Sequence, residues 1–242
     1  MICHKISTLQ YTKLNIYDKI FFMDKNPITI KTMFNQIAEK YDFNNNLISF
    51  GLHKFVKRVS ISKFKFNGKC LDLCTGTGDI AYLLNQNGCE VIGLDFSENM
   101  LKIAKAKHQN IQFIEGDCTN LPFEDNSFDA VTISFGLRNI ENYKKALSEI
   151  NRVLKPEGIF FHLDFCKNNI LANVIYDFII PKLVKIVYGD NLPYKYLVQS
   201  KKEFFDNKKL QEIFEQYKFT HIKTTTYLFG TIASIVCKKN LL

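Results

Sequence analysis

From Ile28 the apolar residues fall at helical spacing, with Ile30, Met33, Phe34, Ile37, Ala38 and Tyr41 on one face. A second helical run carries Leu52, Phe55, Val56 and Val59. Beyond it the texture changes to short apolar runs alternating with amphipathic ones. Lys69–Leu73 predicts a strand, followed by a glycine-rich turn and a helix from Asp79 to about Asn85. Cys89–Leu94 predicts the next strand, and Ser97 caps the helix after it, with Glu98 and Asn99 in the first turn. Further strands are predicted over Ile111–Glu115 and, after the turn Glu124–Ser127, over Phe128–Ser134. A helix around Ala146–Val153 stops at Lys155-Pro-Glu-Gly158, and a strand follows over Ile159–Phe165. Another helical stretch, a loop and a helix over Asn207–Tyr217 lead into strands near His221–Leu228 and Thr231–Cys237. Strands alternating with helices predict an α/β fold around an open, mostly parallel sheet, closed by an antiparallel edge hairpin. Ligands of such sheets bind beyond the carboxyl ends of the strands.

The chain has 242 residues, 46% of them hydrophobic, enough for one domain with a sizeable core. Residues 1–24 read as a loose extension with Met23 as an alternative start, and 25–242 as a single domain with an N-terminal helical lid over 28–60. The formal net charge of +8 comes from scattered lysines with no dense block, which favours solvated faces over nucleic acid. The seven cysteines form no CxxC or Cys/His cluster, so reduced intracellular thiols are expected, with no disulfide framework and no metal site. No run of 18 uncharged apolar residues exists. The greasy stretch Ile170–Tyr188 contains Asp177, Pro181, Lys182 and Lys185; it suits a prenyl-tail path, a peripheral membrane contact, core packing or a homodimer contact.

Candidate chemistry gathers at the strand ends. Asp72-Leu-Cys-Thr-Gly76-Thr-Gly78-Asp79 follows the first strand, where two glycines let the backbone pass close to a ligand. Gly76-x-Gly78-x-x-Ala81 meets a loose dinucleotide fingerprint, with Asp95 at the distance of a ribose-binding acid. A dinucleotide would put its pyrophosphate on the helix N-terminus, between Asp72 and Asp79, where like charges repel. S-adenosylmethionine carries no phosphate and brings a sulfonium and an ammonium. Asp95 then suits a ribose diol, and Asp117 an adenine amine. The acid-rich set points to a methyl donor.

The fourth strand ends in Val131-Thr-Ile-Ser-Phe-Gly-Leu-Arg-Asn139. It lacks the Asn/Asp-Pro-Pro-aromatic motif of nucleic-acid amino methyltransferases, and no metal-ligand set suits a catechol-type transfer. Arg138 is a candidate to stabilise a developing phenolate and Asn139 to orient a ring oxygen.

Three segments resemble the ubiquinone/menaquinone-biosynthesis C-methyltransferases of the UbiE/MenG type. They are Met33–Asp42 continuing through Asn45, Ser49-Phe-Gly51 and His53; Thr132–Asn139; and Tyr194-Lys-Tyr-Leu-x-x-Ser200 with Phe204. With Leu71–Asp79 and Leu121-Pro-Phe123 the likeness covers residues 33 to about 237. The resemblance implies a class I S-adenosylmethionine-dependent methyltransferase with a seven-stranded sheet and a reversed last strand. It implies methyl transfer from S-adenosyl-L-methionine to a ring carbon of a prenylated quinol. The family's donor positions fall on Thr77, Asp95, Asp117, Cys118 and Ser134, and its substrate-side positions on Tyr41, Arg138 and Asn139. Asp72, Gly76 and Gly78 join the donor set from the turn itself.

Departures from the family pattern include Val56, Glu157, Cys166, Phe205, Val236 and His162 in the middle of strand five. Leu163-Asp-Phe165 resembles the branch acting on phytyl- or menaquinone-type naphthoquinols. The expectation is therefore a prenyl naphthoquinol acceptor, with menaquinol or phylloquinol as product, in a bacterial cytoplasm or plastid stroma. The rivals are a prenyl benzoquinol acceptor and a non-catalytic donor-binding or RNA-binding protein. His53 and His162 are expected to be structural more than basic.

Overall fold

A computed structural model of the protein describes residues 25–49, 51–166 and 203–241, together with Lys182, Tyr196, Ser200 and Lys201. The expected extension over 1–24 and, Lys182 apart, the apolar stretch 170–188 lie outside the described residues.

Seven strands form one sheet: β1 (Lys69–Leu73), β2 (Glu90–Asp95), β3 (Gln112–Glu115), β4 (Phe128–Ser134), β5 (Leu154–Phe165), β6 (Phe219–Tyr227) and β7 (Ile232–Lys239). Their order is β3-β2-β1-β4-β5-β7-β6. The first five pair in parallel, and β7 runs antiparallel to both β5 and β6. The reversed last strand thus lies inside the sheet, between β5 and its hairpin partner at the edge. The order turns between β1 and β4, where a doubly wound sheet opens its ligand crevice.

Six α-helices are described: α1 (Pro27–Ser49), α2 (Leu52–Ser62), α3 (Asp79–Gln86), α4 (Glu98–Lys107), α5 (Tyr143–Val153) and α6 (Asn207–Gln216). Strand side chains alternate between two faces. Leu71, Val131, Ile133 and Phe160 pack against Ala146 and Ile150 of α5 and Leu210 and Phe214 of α6. Cys70, Ala130, Phe161 and Leu163 face Val56 of α2, Ile80 and Leu84 of α3 and Leu101 of α4. The sheet is therefore the middle of three layers. α1 belongs to neither layer. Its Ile30 and Met33 pack with Tyr196 and Phe96 at the strand ends.

Several strand boundaries differ from the sequence pattern by one or two residues, and that of β5 by more. β5 begins at Leu154, paired with Phe128, and resumes in register at Ile159 opposite Ala130. Lys155–Gly158 is thus an irregularity within the strand rather than a loop before it. Pro156 ends the helix, but extended backbone accommodates it, and Lys155 anchors the bulge on Asp129 at 2.7 Å.

Candidate active site

The turn after β1 depends on its glycines. Gly78 has φ 87°, and a Cβ there would meet His108 and Phe113 at 2.9 Å. Gly76 has φ 57°. Asp72, fully buried at the end of β1, accepts hydrogen bonds from Thr75 Oγ1 at 2.6 Å and Thr132 Oγ1 at 2.7 Å. Burial pushes its carboxyl up to about 6, against the pull of the two hydroxyls. Asp95 at the end of β2 accepts from the Gly76 N–H at 2.8 Å and the Ser97 N–H at 2.9 Å. Asp117 accepts from the Thr119 N–H and hydroxyl, both at 2.8 Å.

These elements surround a cleft of about 930 Å³, its open mouth included. Of the expected site residues, Tyr41, Gly76, Asp95, Asp117, Cys118, Ser134 and Asn139 line it, with Phe34, Phe96, Met100 and Phe135 as apolar walls. Asp72 and Thr77 line a smaller adjoining cavity, together with Gly76, Ser134 and Tyr41. Gly78 lines none of the cavities described here and acts by shaping the turn. The Ser134 hydroxyl is buried without a hydrogen-bond partner. Cys74 and Cys118 both line the cleft, and the Cys118 thiol, with burial, raises Cys74 well above the usual thiol range.

Two further cavities open on the other side of Tyr41 and Phe135, which line all four spaces. One, of about 540 Å³, has Met33, Phe34 and Ile37 against Arg138, Asn139 and Tyr196. The other, of about 620 Å³, has Phe165, Leu228 and Ile232 against Ser49, His53 and Arg138. Asn139 lines both the main cleft and the first of these. Its amide donates to the Phe135 carbonyl at 3.3 Å and accepts from the Tyr196 hydroxyl at 3.0 Å.

Arg138, read from the sequence as a candidate to stabilise a phenolate, is ion-paired. Its Nη1 donates to Asp164 at 2.6 Å and to the Phe135 carbonyl at 2.8 Å, and its guanidinium lies over the Phe135 and Phe165 rings. Arg138 and Asp164 are both buried, so the arginine's charge is already matched. Its Nε has no partner, and the side chain lines both further cavities. Burial raises Asp164, with Arg138 and the Phe165 N–H opposing.

Neither histidine is poised as a strong base. Burial and Lys57 lower His53 to about 4, and its Nδ1 shares a 2.6 Å contact with Ser49 Oγ. His162 is 1% exposed, brought down to about 3 by burial and Arg138.

Asp79 also differs from its expected role. It pairs with Lys57 at 3.0 Å and Lys107 at 3.2 Å, and Lys107 reaches Asp42 at 2.9 Å. Burial alone would raise the Asp79 carboxyl, yet the two lysines hold it well below the usual range. Its charge is spent on this network, and it lines none of the cavities described here. Asp42 closes the chain by accepting from Thr77 Oγ1 at 2.7 Å. Phe135, Asp42, Lys57 and Asp164 were not singled out by their chemistry in the sequence. For Asp164 a signal existed, because a carboxylate inside the apolar run of β5 requires a buried cation.

The ubiE/COQ5 methyltransferase family model matches residues 22–239. This chain belongs to that family. A demethylmenaquinone methyltransferase of Staphylococcus haemolyticus is 42% identical, the match covering 84% of this chain and 91% of that one. Its Staphylococcus saprophyticus counterpart is 39% identical over 84% and 93%. The fold is that of SAM-dependent methyltransferases from Thermotoga maritima (TM-score 0.66, 18% identity, 86% and 99% covered) and Aquifex aeolicus (0.62, 18%, 84% and 97%). The family member described here is thus a methyltransferase that uses S-adenosylmethionine. Its cleft suits that donor: Asp95, Asp117 and Glu141 outnumber Lys25 on the walls, and the Ser134 hydroxyl awaits a partner. An acidic lining favours a ligand that carries positive charge.

Proposed function

We propose that this enzyme methylates a ring carbon of a prenylated naphthoquinol, demethylmenaquinol or its phytyl-tailed counterpart. The observation that carries this reading is the 42% identity to a demethylmenaquinone methyltransferase over 84% of this chain and 91% of that one. The cavities beyond Tyr41 and Phe135 support it, because apolar walls with a few polar groups suit an aromatic ring with hydroxyls. The absence of tryptophan and the abundance of lysine, asparagine, isoleucine and phenylalanine support a setting in a reduced bacterium or a plastid.

In this reading Asp95 holds the donor's ribose and Asp117 its adenine amine. Asp72, Gly76, Thr77, Cys118 and Ser134 complete the donor wall around the turn shaped by Gly78, and α1 and α2 act as the lid. The bound donor supplies an electrophilic methyl carbon. Asn139, fixed between Tyr196 and the Phe135 carbonyl, orients a ring oxygen at the junction of donor and acceptor spaces. Arg138, balanced by Asp164, presents its remaining N–H groups to the developing phenolate. It acts there as a preorganised dipole more than as a bare charge. Tyr41, at the meeting point of all four spaces, excludes water and relays the ring proton outward.

The test offers the purified enzyme labelled S-adenosylmethionine and equal amounts of demethylated naphthoquinol and benzoquinol. Label on the naphthoquinol is expected. Asn139→Ala should cut turnover on the order of 100-fold while donor affinity stays within about threefold. Label on the benzoquinol alone, or on neither, overturns the acceptor assignment.

A further inference from the structure

The turn between β6 and β7 spends backbone energy to expose an aromatic ring. Leu228 and Phe229 both lie in the left-handed region, at φ 49° and 56°, which non-glycine residues adopt at a cost. Phe229 is nonetheless 90% exposed, so no burial offsets that strain. Its neighbour Leu228 lines the cavity that holds His53 and Arg138. Across the same cavity, α2 contributes His53 and Lys57 to the lining and leaves Leu52 and Phe55 exposed at 43% and 59%. The two elements meet where Lys63 Nζ lies 5.1 Å from the centre of the Tyr227 ring.

The two elements flanking this mouth carry charge of one sign. Residues 51–67 carry Lys54, Lys57, Arg58, Lys63 and Lys65 and no carboxylate. Residues 219–234, up to and beyond the turn, carry Lys223 and again no carboxylate; Lys238 and Lys239 lie at the far end of β7, the first paired with Glu157 and the second buried. Lys57 is taken by Asp79, but Lys54, Arg58 and Lys63 are exposed. Exposed aromatic and aliphatic side chains set among cations, with no acid on either element, match an interface that is apolar below and anionic above.

We propose that this rim docks on a lipid bilayer carrying anionic headgroups. Phe229, Phe55 and Leu52 enter the headgroup–acyl boundary, while Lys54, Arg58 and Lys63 meet the headgroups. A second copy fits less well, because a two-fold contact would set the same basic rim against itself. Docking turns the cavity mouth toward the membrane, so an acceptor dissolved in lipid enters without crossing water. That last step rests on the proposed acceptor; the docking itself does not.

Co-sedimentation of the full chain with vesicles of equal phosphatidylglycerol and phosphatidylcholine, and with phosphatidylcholine alone, tests it. Binding to the anionic vesicles is expected to exceed that to neutral ones at least tenfold and to weaken as salt rises. The variant Phe229→Asn/Phe55→Ser should lose tenfold or more, since asparagine keeps the left-handed turn without the ring. The same variant should retain methyl transfer to a short-chain demethylnaphthoquinol in free solution. Equal binding by both proteins, or no binding by the parent, overturns the proposal. So does a dimer in light scattering that the variant abolishes, which would give the patch to a second copy. Vesicle binding without transfer to any naphthoquinol would leave the docking intact and remove the acceptor assignment.

Discussion

Both ring nitrogens of His162 are buried without a hydrogen-bond partner, between Phe204 and Phe214. Such groups are costly, and a strand-centre aliphatic residue would avoid the cost. The neutral ring's contribution is complete above pH 6.5 and is lost as pH falls toward about 3, because burial lowers its folded pKa. His162→Leu is therefore expected to stabilise the fold by about 1–2 kcal/mol at neutral pH. The gain should grow as pH drops through 6, read from urea midpoints. Asp72 has the opposite sign. Its carboxyl, raised to about 6, makes its contribution largest below pH 4 and loses it as pH climbs through 6. Asp72→Asn should remove that descending component from the stability profile. At this scale the sequence showed which residues gather at the strand ends, Asp95, Asp117, Ser134 and Asn139 among them. It did not show that Arg138 is matched by Asp164, since a pair 26 positions apart becomes visible only when β4 and β5 align.

Helix α1 is held over the strand ends at three points along its length. Lys31 reaches Glu115 at 2.6 Å, Asn35 accepts from the Ser97 hydroxyl at 2.7 Å, and Asp42 takes Thr77 and Lys107. Glu115 closes β3, Ser97 follows β2 and Thr77 lies in the turn after β1, while Lys107 ends α4, so the helix and that turn share one set of bonds. Asp42→Asn keeps the shape and weakens the ionic part. Donor affinity should fall roughly three- to tenfold, corresponding to about 1 kcal/mol, with the difference shrinking at high salt. Titration calorimetry with S-adenosylmethionine at low and high ionic strength reads both effects. The elements themselves were largely legible: β1 and β4 match the predicted spans, and Ser97 caps α4, its hydroxyl accepting from the Met100 N–H at 3.3 Å. The start of β5 was hidden, because Lys-Pro-Glu-Gly is punctuation by composition and a bulge by pairing.

Across the whole molecule, sheet order and charge divide the work. The turn of the strand order between β1 and β4 opens the main cleft, while Tyr41 and Phe135 line both it and the cavity proposed for the acceptor. Alternating strands and helices made the parallel part of this sheet readable; the insertion of β7 between β5 and β6 follows only from long-range pairing. Among the described residues no helix is long and apolar enough to cross a membrane. The net charge of +8 takes on shape only in three dimensions, where two acid-free segments meet at one cavity mouth. The proposed reaction joins donor and quinol ring at the Tyr41–Phe135 wall and places the methyl on carbon, not oxygen. Its most direct measurement is carbon NMR of the product made with S-adenosylmethionine labelled with ¹³C in the methyl group, using reduced and oxidised demethylnaphthoquinone in parallel. A ring C–CH₃ signal from the reduced acceptor and none from the oxidised one is predicted. An O–CH₃ signal, or equal reaction with the oxidised ring, would contradict it.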